Sequence, residues 1–323
     1  MTDLIRAARI DTLGHDPVVA TLPAPVAGPG QVLLRMSAAA LNFADLLQAK
    51  GQYQERLAAP FVPGLEGAGT VFDCPPGCGL AQGMRVVVSA PATMAQVIAV
   101  DPGAVQPIPD AMSFEQAAGF QVAYGTSHLA LTARGQLAAG QTLVVLGRRG
   151  RRRADGGSDR GGARRPGDRH GARRGQDGPG ARGPARMRSS TPPPAPTCAP
   201  PCARWAAPMS STTPVGAEPG EAAFGALHPG GHFLSIGFAA GRPPALPLNH
   251  ALVKNITIHG FYWGSYRSLD PQALRASMAA LFDLFAEGRL HPVASDILPL
   301  DRVAEGYDLL RQGRSIGKVV ITL

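Results

Sequence analysis

Eight histidines and four cysteines are the residues with which this 323-residue chain could ligate a metal or attack a substrate, and their spacing favours neither. The histidines are scattered, with no H-x-x-x-H helix. Cys74-x₃-Cys78 is a pair without nearby partners, and the matching Cys198-x₃-Cys202 lies in a stretch of abnormal composition. A closed zinc site needs four Cys or His donors, so neither pair predicts one. Phosphate chemistry has the stronger signal. Thr142-Leu143-Val144-Val145-Leu146-Gly147 is a continuous apolar run ending in glycine, the pattern of a buried parallel strand entering a phosphate-binding turn. A Gly-rich turn and a helix should follow, because helix N-terminal amides hold a dinucleotide pyrophosphate. Instead the chain continues Arg148-Arg149-Gly150-Arg151-Arg152-Arg153.

That interruption accounts for the charge. The chain carries a formal +8, but the 14 Arg and 4 Asp between Arg148 and Arg188 contribute +10 and leave the remainder slightly acidic. From Arg148 to Pro214 there is no Val, Ile, Leu, Phe or Tyr. Such a stretch cannot bury a core and is expected to be disordered. Read one base later, its codons permit A-A-G-G-V-G directly after Gly147 and D-K-M-A-L-A-R-A further on. From about Gly183 the other alternate frame works better. There Pro208 to Thr213 can read D-V-V-Y-D, running into Pro214-Val215-Gly216. Residues 148–213 are therefore read as frame-shifted text. A genuine Arg/Gly/Pro-rich insert and an RNA-binding tract are the alternatives. As written, the chain would lack the turn, its helix and two central strands, and is expected neither to fold stably nor to bind a dinucleotide.

The elements around this segment are regular. Residues 1–120 alternate Gly/Pro turns with short apolar runs (Val32–Leu34, Gly69–Phe72, Arg85–Val88, Gln96–Val100), which predicts a small β-rich barrel or sandwich. Asp270-Pro271 is an N-cap and first-turn pair ahead of Leu274, Met278, Leu281, Phe282 and Phe285 at helical spacing, and Gly288 suits the C-terminal stop. Asp301 is read as capping a helix through Val303, Tyr307 and Leu310, with a final strand from Lys318 to Leu323. No apolar run reaches the ~20 residues of a membrane span and no signal peptide is recognised. With few cysteines, the expectation is a cytoplasmic protein with no membrane partner.

Several motifs carry a resemblance. Leu41-Asn42-Phe43-Ala44-Asp45, Gly51-Gln52-Tyr53, Pro60-Phe61-Val62-Pro63-Gly64-Leu65-Glu66-Gly67-Ala68-Gly69, Tyr124-Gly125-Thr126-Ser127-His128, Phe233-Leu234-Ser235-Ile236-Gly237 and Gly317-Lys318-Val319-Val320 match, in order, a known pattern. The chain resembles the zinc-independent quinone oxidoreductases of the medium-chain dehydrogenase/reductase superfamily over 1–147 and 214–323. The resemblance implies an α/β fold: a GroES-like β-rich domain (1–120, completed by about 290–323) plus a Rossmann domain with a doubly wound parallel sheet (121–289), the latter disrupted at 148–213. It also implies NADPH as cofactor.

In zinc dehydrogenases of that superfamily a Cys stands at the position of Asn42 and a His at that of Leu65, so the resemblance implies no metal. Without a Lewis acid, quinones and activated alkenes suit hydride transfer better than simple carbonyls. The resemblance places Asn42 and Tyr53 in the catalytic cleft; a turn cap and a loop-packing ring are the simpler readings. It assigns Thr126 to the nicotinamide carboxamide, Gly147 to the pyrophosphate turn, and Gly237, Phe238 and Ala239 to a loop passing the cofactor. Phe261, Tyr262 and Trp263 become the loop over the nicotinamide, and Lys318 approaches the cofactor phosphates. A helix cap, a strand-end turn, a dimer interface and an exposed lysine are the respective alternatives. Glu66 keeps its family position without an assigned role. The leading function is NADPH-dependent reduction of a small-molecule quinone or α,β-unsaturated carbonyl. Alternatives are an enoyl-thioester or alkenal reductase, an inactive product of a decayed or mis-sequenced gene, or an Arg/Gly-rich nucleic-acid-binding module. A homodimer through a sheet edge near Asn255–Gly260 is implied, and no nucleic-acid partner.

Overall fold

The computed structural model describes residues 3–146, 186–189, 210–213 and 215–323, the two short internal stretches as backbone. The N-terminal apolar runs become strands, Val32–Ala40 and Val97–Val100 alternating more and less buried side chains with the two-residue period of a pleated chain and Arg85–Val88 buried along Val86–Val88. β1 (Leu4–Arg9) and β2 (Val18–Pro23) form an antiparallel ribbon. β3 (Val32–Ala40) is the spine of a second sheet, with Val32, Leu34, Met36 and Ala38 buried. It pairs with β4 (Gly67–Asp73), which leads to β5 (Arg85–Val88), and also with β6 (Val97–Val100); β7 (Val105–Pro107) closes on β5.

The third sheet is parallel throughout. β8 (Thr142–Val145), β9 (Arg186–Ser189), β10 (Ser210–Thr213), β11 (His232–Ser235) and β12 (Thr257–Gly260) lie in the order β12-β11-β10-β8-β9. The chain thus steps from β8 to one side and then crosses to the other, which makes a topological switch point between β8 and β10. β9 and β10 fall inside 148–213, so the expectation that this stretch supplies no strand is corrected at two places. A parallel ladder is made by backbone N–H and C=O groups, which every non-proline residue carries whatever its side chain. Gly147 and the rest of the Arg-rich stretch lie outside the described residues, as does the expected disorder.

From the C-terminal part, β13 (Ala294–Pro299) pairs with β14 (Lys318–Thr322), and β14 lies antiparallel beside β3, so both ends of the chain build the second sheet. Helix α1 (Phe43–Ala49) follows β3, and α2 (Phe114–Ala118) opens a helical run that continues through α3 (Thr126–Leu129) with π turns on either side. α4 (Ala217–Gly225) and α5 (Leu248–Lys254) flank the parallel sheet, and α6 (Tyr266–Leu269) precedes the long α7 (Pro271–Ala286). The Asp270 carboxylate accepts the Ala273 N–H at 2.9 Å and Gly288 has φ +68°, so both ends of α7 are stopped as their residue types predict. The second C-terminal helix, α8 (Val303–Arg311), departs from expectation: Asp301 lies in a 3₁₀ turn (Leu300–Arg302) and pairs with Arg6. A long-range cation has taken the carboxylate that local pattern assigns to the helix amides.

Helix α7 and the helical run from α2 meet the second sheet through one apolar core. Phe120, fully buried, stacks on Tyr124 at 4.6 Å and on Phe282 of α7 at 5.5 Å, against Ala38, Ala40, Val87 and Val320 of the β-rich part. The helical run from α2 is thereby held against both domains, with one face toward the end of β4.

Candidate functional site

Three strand ends bring the site together. β3 pairs with β14 in the register Ala40↔Val320, so two residues further on Asn42 stands opposite Lys318. β3 also pairs with β4 at Ala39↔Gly67, which sets Glu66 beside Ala40. The close approach needs the glycines: a Cβ on Gly69 would collide with the Arg35 carbonyl, and one on Gly67 would lie 2.8 Å from that of Ala38.

Glu66 is the hub. Its side chain is fully buried, and Oε1 accepts Asn42 Nδ2 at 3.0 Å and Lys318 Nζ at 2.7 Å, while Oε2 accepts the Val122 N–H at 2.8 Å. Lys318 Nζ also donates to Asn42 Oδ1 at 2.5 Å. A carboxylate stripped of water needs a countercharge and hydrogen bonds, and here it has both. Both ends of the Asn42 amide are consequently engaged. Asn42 does precede α1, the cap position of the simpler reading, but its side chain is turned to Glu66 and Lys318. Lys318 was expected at cofactor phosphates; its ammonium lies instead on Asn42 and Glu66, because the buried carboxylate is the strongest local attractor for a cation.

Asp45 of α1 is also fully buried. Its Oδ2 accepts the Asn42 N–H at 2.7 Å, while among the described residues Oδ1, Gln48 Oε1 and Tyr307 Oη have no hydrogen-bond partner. Burial pushes the Asp45 carboxyl up from 3.8 to about 7, with Asn42 N–H and Lys318 opposing the rise. Asp45 and the hub role of Glu66 were missed from sequence. An acid flanked by Ala44 and Leu46 in an apolar helix was the available signal.

Tyr53 reaches the other domain. Its hydroxyl donates to Tyr262 Oη at 3.3 Å, Tyr262 donates to Glu55 Oε1 at 2.9 Å, and Arg267 approaches Glu55 at 3.9 Å. Burial raises both tyrosine pKa values, and for Tyr262 the neighbouring Tyr53 and Glu55 raise it further. Tyr262 is thus separated from its neighbours in sequence: Phe261 and Trp263 are buried with Leu129, Ala130 and Tyr266, apolar rings for which core packing outweighs cleft exposure. Trp263 Nε1 has no partner among the described residues and would lie 2.7 Å from a Cβ on Gly125. Thr126 is half-buried within the helical run, not at its start. Gly237, Phe238 and Ala239 follow β11, where Ala240 N–H donates to the Val215 carbonyl at 2.9 Å. Phe238 and Ala239 are exposed. The ends of β10 and β11 therefore adjoin at the switch-point side of the sheet; Gly147 lies outside the described residues.

Cys74 and Cys78 both donate to the Leu80 carbonyl, at 3.5 and 3.9 Å. Among the described residues no group of three His, Cys, Asp or Glu side chains could hold a metal.

Residues 28–110 match the alcohol dehydrogenase GroES-like domain, and residues 213–321 match a family described as zinc-binding dehydrogenase. The chain is 31% identical over 301 residues to the quinone oxidoreductase-like protein 2 homolog of Nematostella vectensis, covering 91% of this chain and 82% of that one. The chain belongs to the quinone oxidoreductase-like family of the medium-chain dehydrogenases/reductases. The mouse quinone oxidoreductase-like protein 2 is 28% identical over 315 residues, covering 93% of this chain and 87% of its own. The quinone oxidoreductase of Thermus thermophilus, solved alone and with NADPH, superposes with a TM-score of 0.73 at 24% identity, covering 98% of this chain and all of that one. The chain has an α/β fold with a GroES-like domain and a Rossmann-like sheet, and its family is one of oxidoreductases. Among its described residues no helix is long and apolar enough to cross a membrane.

Proposed function

We propose that this protein reduces a quinone or α,β-unsaturated carbonyl with NADPH and without zinc. The observation that carries the reading is the buried Asn42–Glu66–Lys318 cluster where the ends of β3, β4 and β14 meet. At the positions where zinc dehydrogenases have Cys and His, this chain has Asn42 and Leu65, and its own ammonium occupies the cluster.

The described residues fit a dinucleotide. β8 and β10 flank a switch point, where α/β sheets bind such ligands, and the β10 and β11 ends bring Val215–Gly216 and Gly237–Ala240 beside it. Trp263 Nε1 adds a buried donor, unpartnered among the described residues, close against Gly125. Gly147, Thr126, Gly237 and Ala239 would hold the cofactor, which when bound supplies a hydride. Glu66 and Lys318 fix the Asn42 amide. Tyr53, Tyr262 and Glu55 form a hydrogen-bonded link between the β-rich part and the loop after β12. The Thermus relative's complex with NADPH supports the choice of cofactor.

A homodimer is part of the proposal. β12 ends the parallel sheet, and Leu252 and Val253 of neighbouring α5 are 78% and 73% exposed, an apolar strip beside an unpaired edge. A cytoplasmic location remains part of the same reading. So does the frame-shifted origin of 148–213, which resequencing the DNA across codons 140–220 tests directly.

The functional test follows NADPH oxidation by the purified full chain with 1,4-benzoquinone, an enone, an enoyl thioester and a simple aldehyde, with and without EDTA. Quinone or enone turnover unaffected by EDTA is expected. Preference for the enoyl thioester would establish the alternative reductase. Loss of turnover on chelation would overturn zinc independence, and no NADPH-induced thermal shift would establish an inactive product. Steeply salt-dependent RNA binding in place of turnover would favour the nucleic-acid module.

A further inference from the structure

The cluster contains more than a buried ion pair. Glu66 is fully buried, whereas the Lys318 side chain retains 20% of its exposure, so the pair's positive end is outermost. Glu66 is occupied by Lys318, Asn42 and Val122. The ammonium has three protons, and among the described residues two have acceptors, Asn42 Oδ1 and Glu66 Oε1. The stem of Lys318 is pinned over Gly119, where a Cβ would meet its Cγ at 2.7 Å, and it lines a cleft of about 530 Å³ with Tyr124 and Ser127. The cation is thus held by two acceptors, its stem fixed against Gly119, with one donor to spare.

We propose that Lys318 is the electrophilic catalytic residue, donating its third N–H to the carbonyl oxygen of the bound quinone or enone; this rests on the reductase reading above. NADPH, when bound, would supply a hydride and be left as NADP⁺. The hydride forms the new C–H bond. On conjugate addition the C=C pair of an enone or quinone shifts toward the carbonyl carbon, and the C=O π pair goes to the oxygen. The oxygen, now anionic, accepts the hydrogen bond from Lys318 and then takes a proton from water. A fixed donor aimed at the developing charge, already oriented by a buried carboxylate, needs no reorganisation during the step. Placed on cofactor phosphates instead, the same lysine would serve binding alone.

The test compares wild type, Lys318→Ala and Lys318→Arg full chains with NADPH and 1,4-benzoquinone, after circular dichroism shows which variants fold. Lys318→Ala should lower kcat by roughly 10²–10³-fold while the Kd for NADPH, read by nicotinamide fluorescence, stays within about twofold. Added ethylammonium should restore part of kcat, and tetramethylammonium, with no N–H, should not. If Lys318→Ala does not fold, Lys318→Arg should keep NADPH affinity and lose kcat, since a planar guanidinium does not reproduce the ammonium's placement between Asn42 and Glu66. A full kcat at saturation, a loss confined to NADPH Kd, or equal rescue by both cations would overturn the proposal. A wild type that binds NADPH but turns over neither quinone nor enone defeats the reductase reading itself. In that case a Lys318→Ala thermal midpoint raised by ethylammonium would still locate the cation seat.

Discussion

Replacing Asp45 by Asn isolates the cost of a buried acid. The folded protein holds this carboxyl at about 7 against an ordinary value of 3.8, chiefly through burial. Because the folded value is the higher, the folded state binds the proton more tightly. The stability this group contributes is complete below about pH 4 and is lost as the pH rises through about 7. The gap is worth on the order of 4 kcal/mol at ~1.36 kcal/mol per pH unit, of which about 2.7 kcal/mol falls between about pH 5 and pH 8.5. Asn keeps an oxygen for the Asn42 N–H and cannot ionise, so Asp45→Asn should resemble wild type near pH 5 and exceed it near pH 8.5. At roughly 2–4 °C per kcal/mol, the difference in thermal midpoint between variant and wild type should grow by about 5–10 °C across that window. Differential scanning fluorimetry at both pH values provides the measurement. A difference that stays constant with pH, or shrinks as pH rises, refutes the account of a carboxyl desolvated beside Glu66 and Lys318.

Other expectations concern the frame around the site. Phe282→Ala removes the ring that stacks on Phe120 and should cost about 3–5 kcal/mol, read by urea unfolding. Gly69→Ala drives a methyl into the Arg35 carbonyl and should cost about 3 kcal/mol; a loss below about 1 kcal/mol would mean that β3 and β4 can separate. Tyr262→Phe breaks the hydroxyl link from Tyr53 to Glu55, so stability should fall by no more than about 1 kcal/mol while KM for the quinone rises, as steady-state kinetics would show. Ile258→Lys on the β12 edge should convert a dimer to a monomer in light scattering, and an unchanged mass would place the interface elsewhere.

The local signals in the chain translated directly. Asp270, Pro271 and Gly288 set the ends of α7 because caps act within one helical turn, and the apolar runs near Val32, Val71 and Val86 became β3, β4 and β5 because a short apolar run between turn residues is a local property. Asp301 escaped this logic: a cap is decided by whichever partner reaches the carboxylate, and that partner, Arg6, comes from the other end of the chain. Phe261 and Trp263 escaped it too, since an aromatic trio in sequence does not say which ring turns inward. Composition likewise understated the Arg-rich stretch, where β9 and β10 join the sheet through backbone groups that composition does not report.

The sequence by itself determined the chemical inventory: one family pattern, an Asn and a Leu where zinc ligands would stand, and a charge excess confined to one segment. Tertiary structure decided what those residues do to one another. Asn42 and Lys318 are 276 positions apart, and a single strand register makes them a 2.5 Å contact. Register depends on how many residues separate a strand pair from its neighbours and on which faces are buried, so it is fixed only when the whole sheet assembles. The same assembly excludes water from Glu66 and Asp45, and that burial is what raises the Asp45 carboxyl.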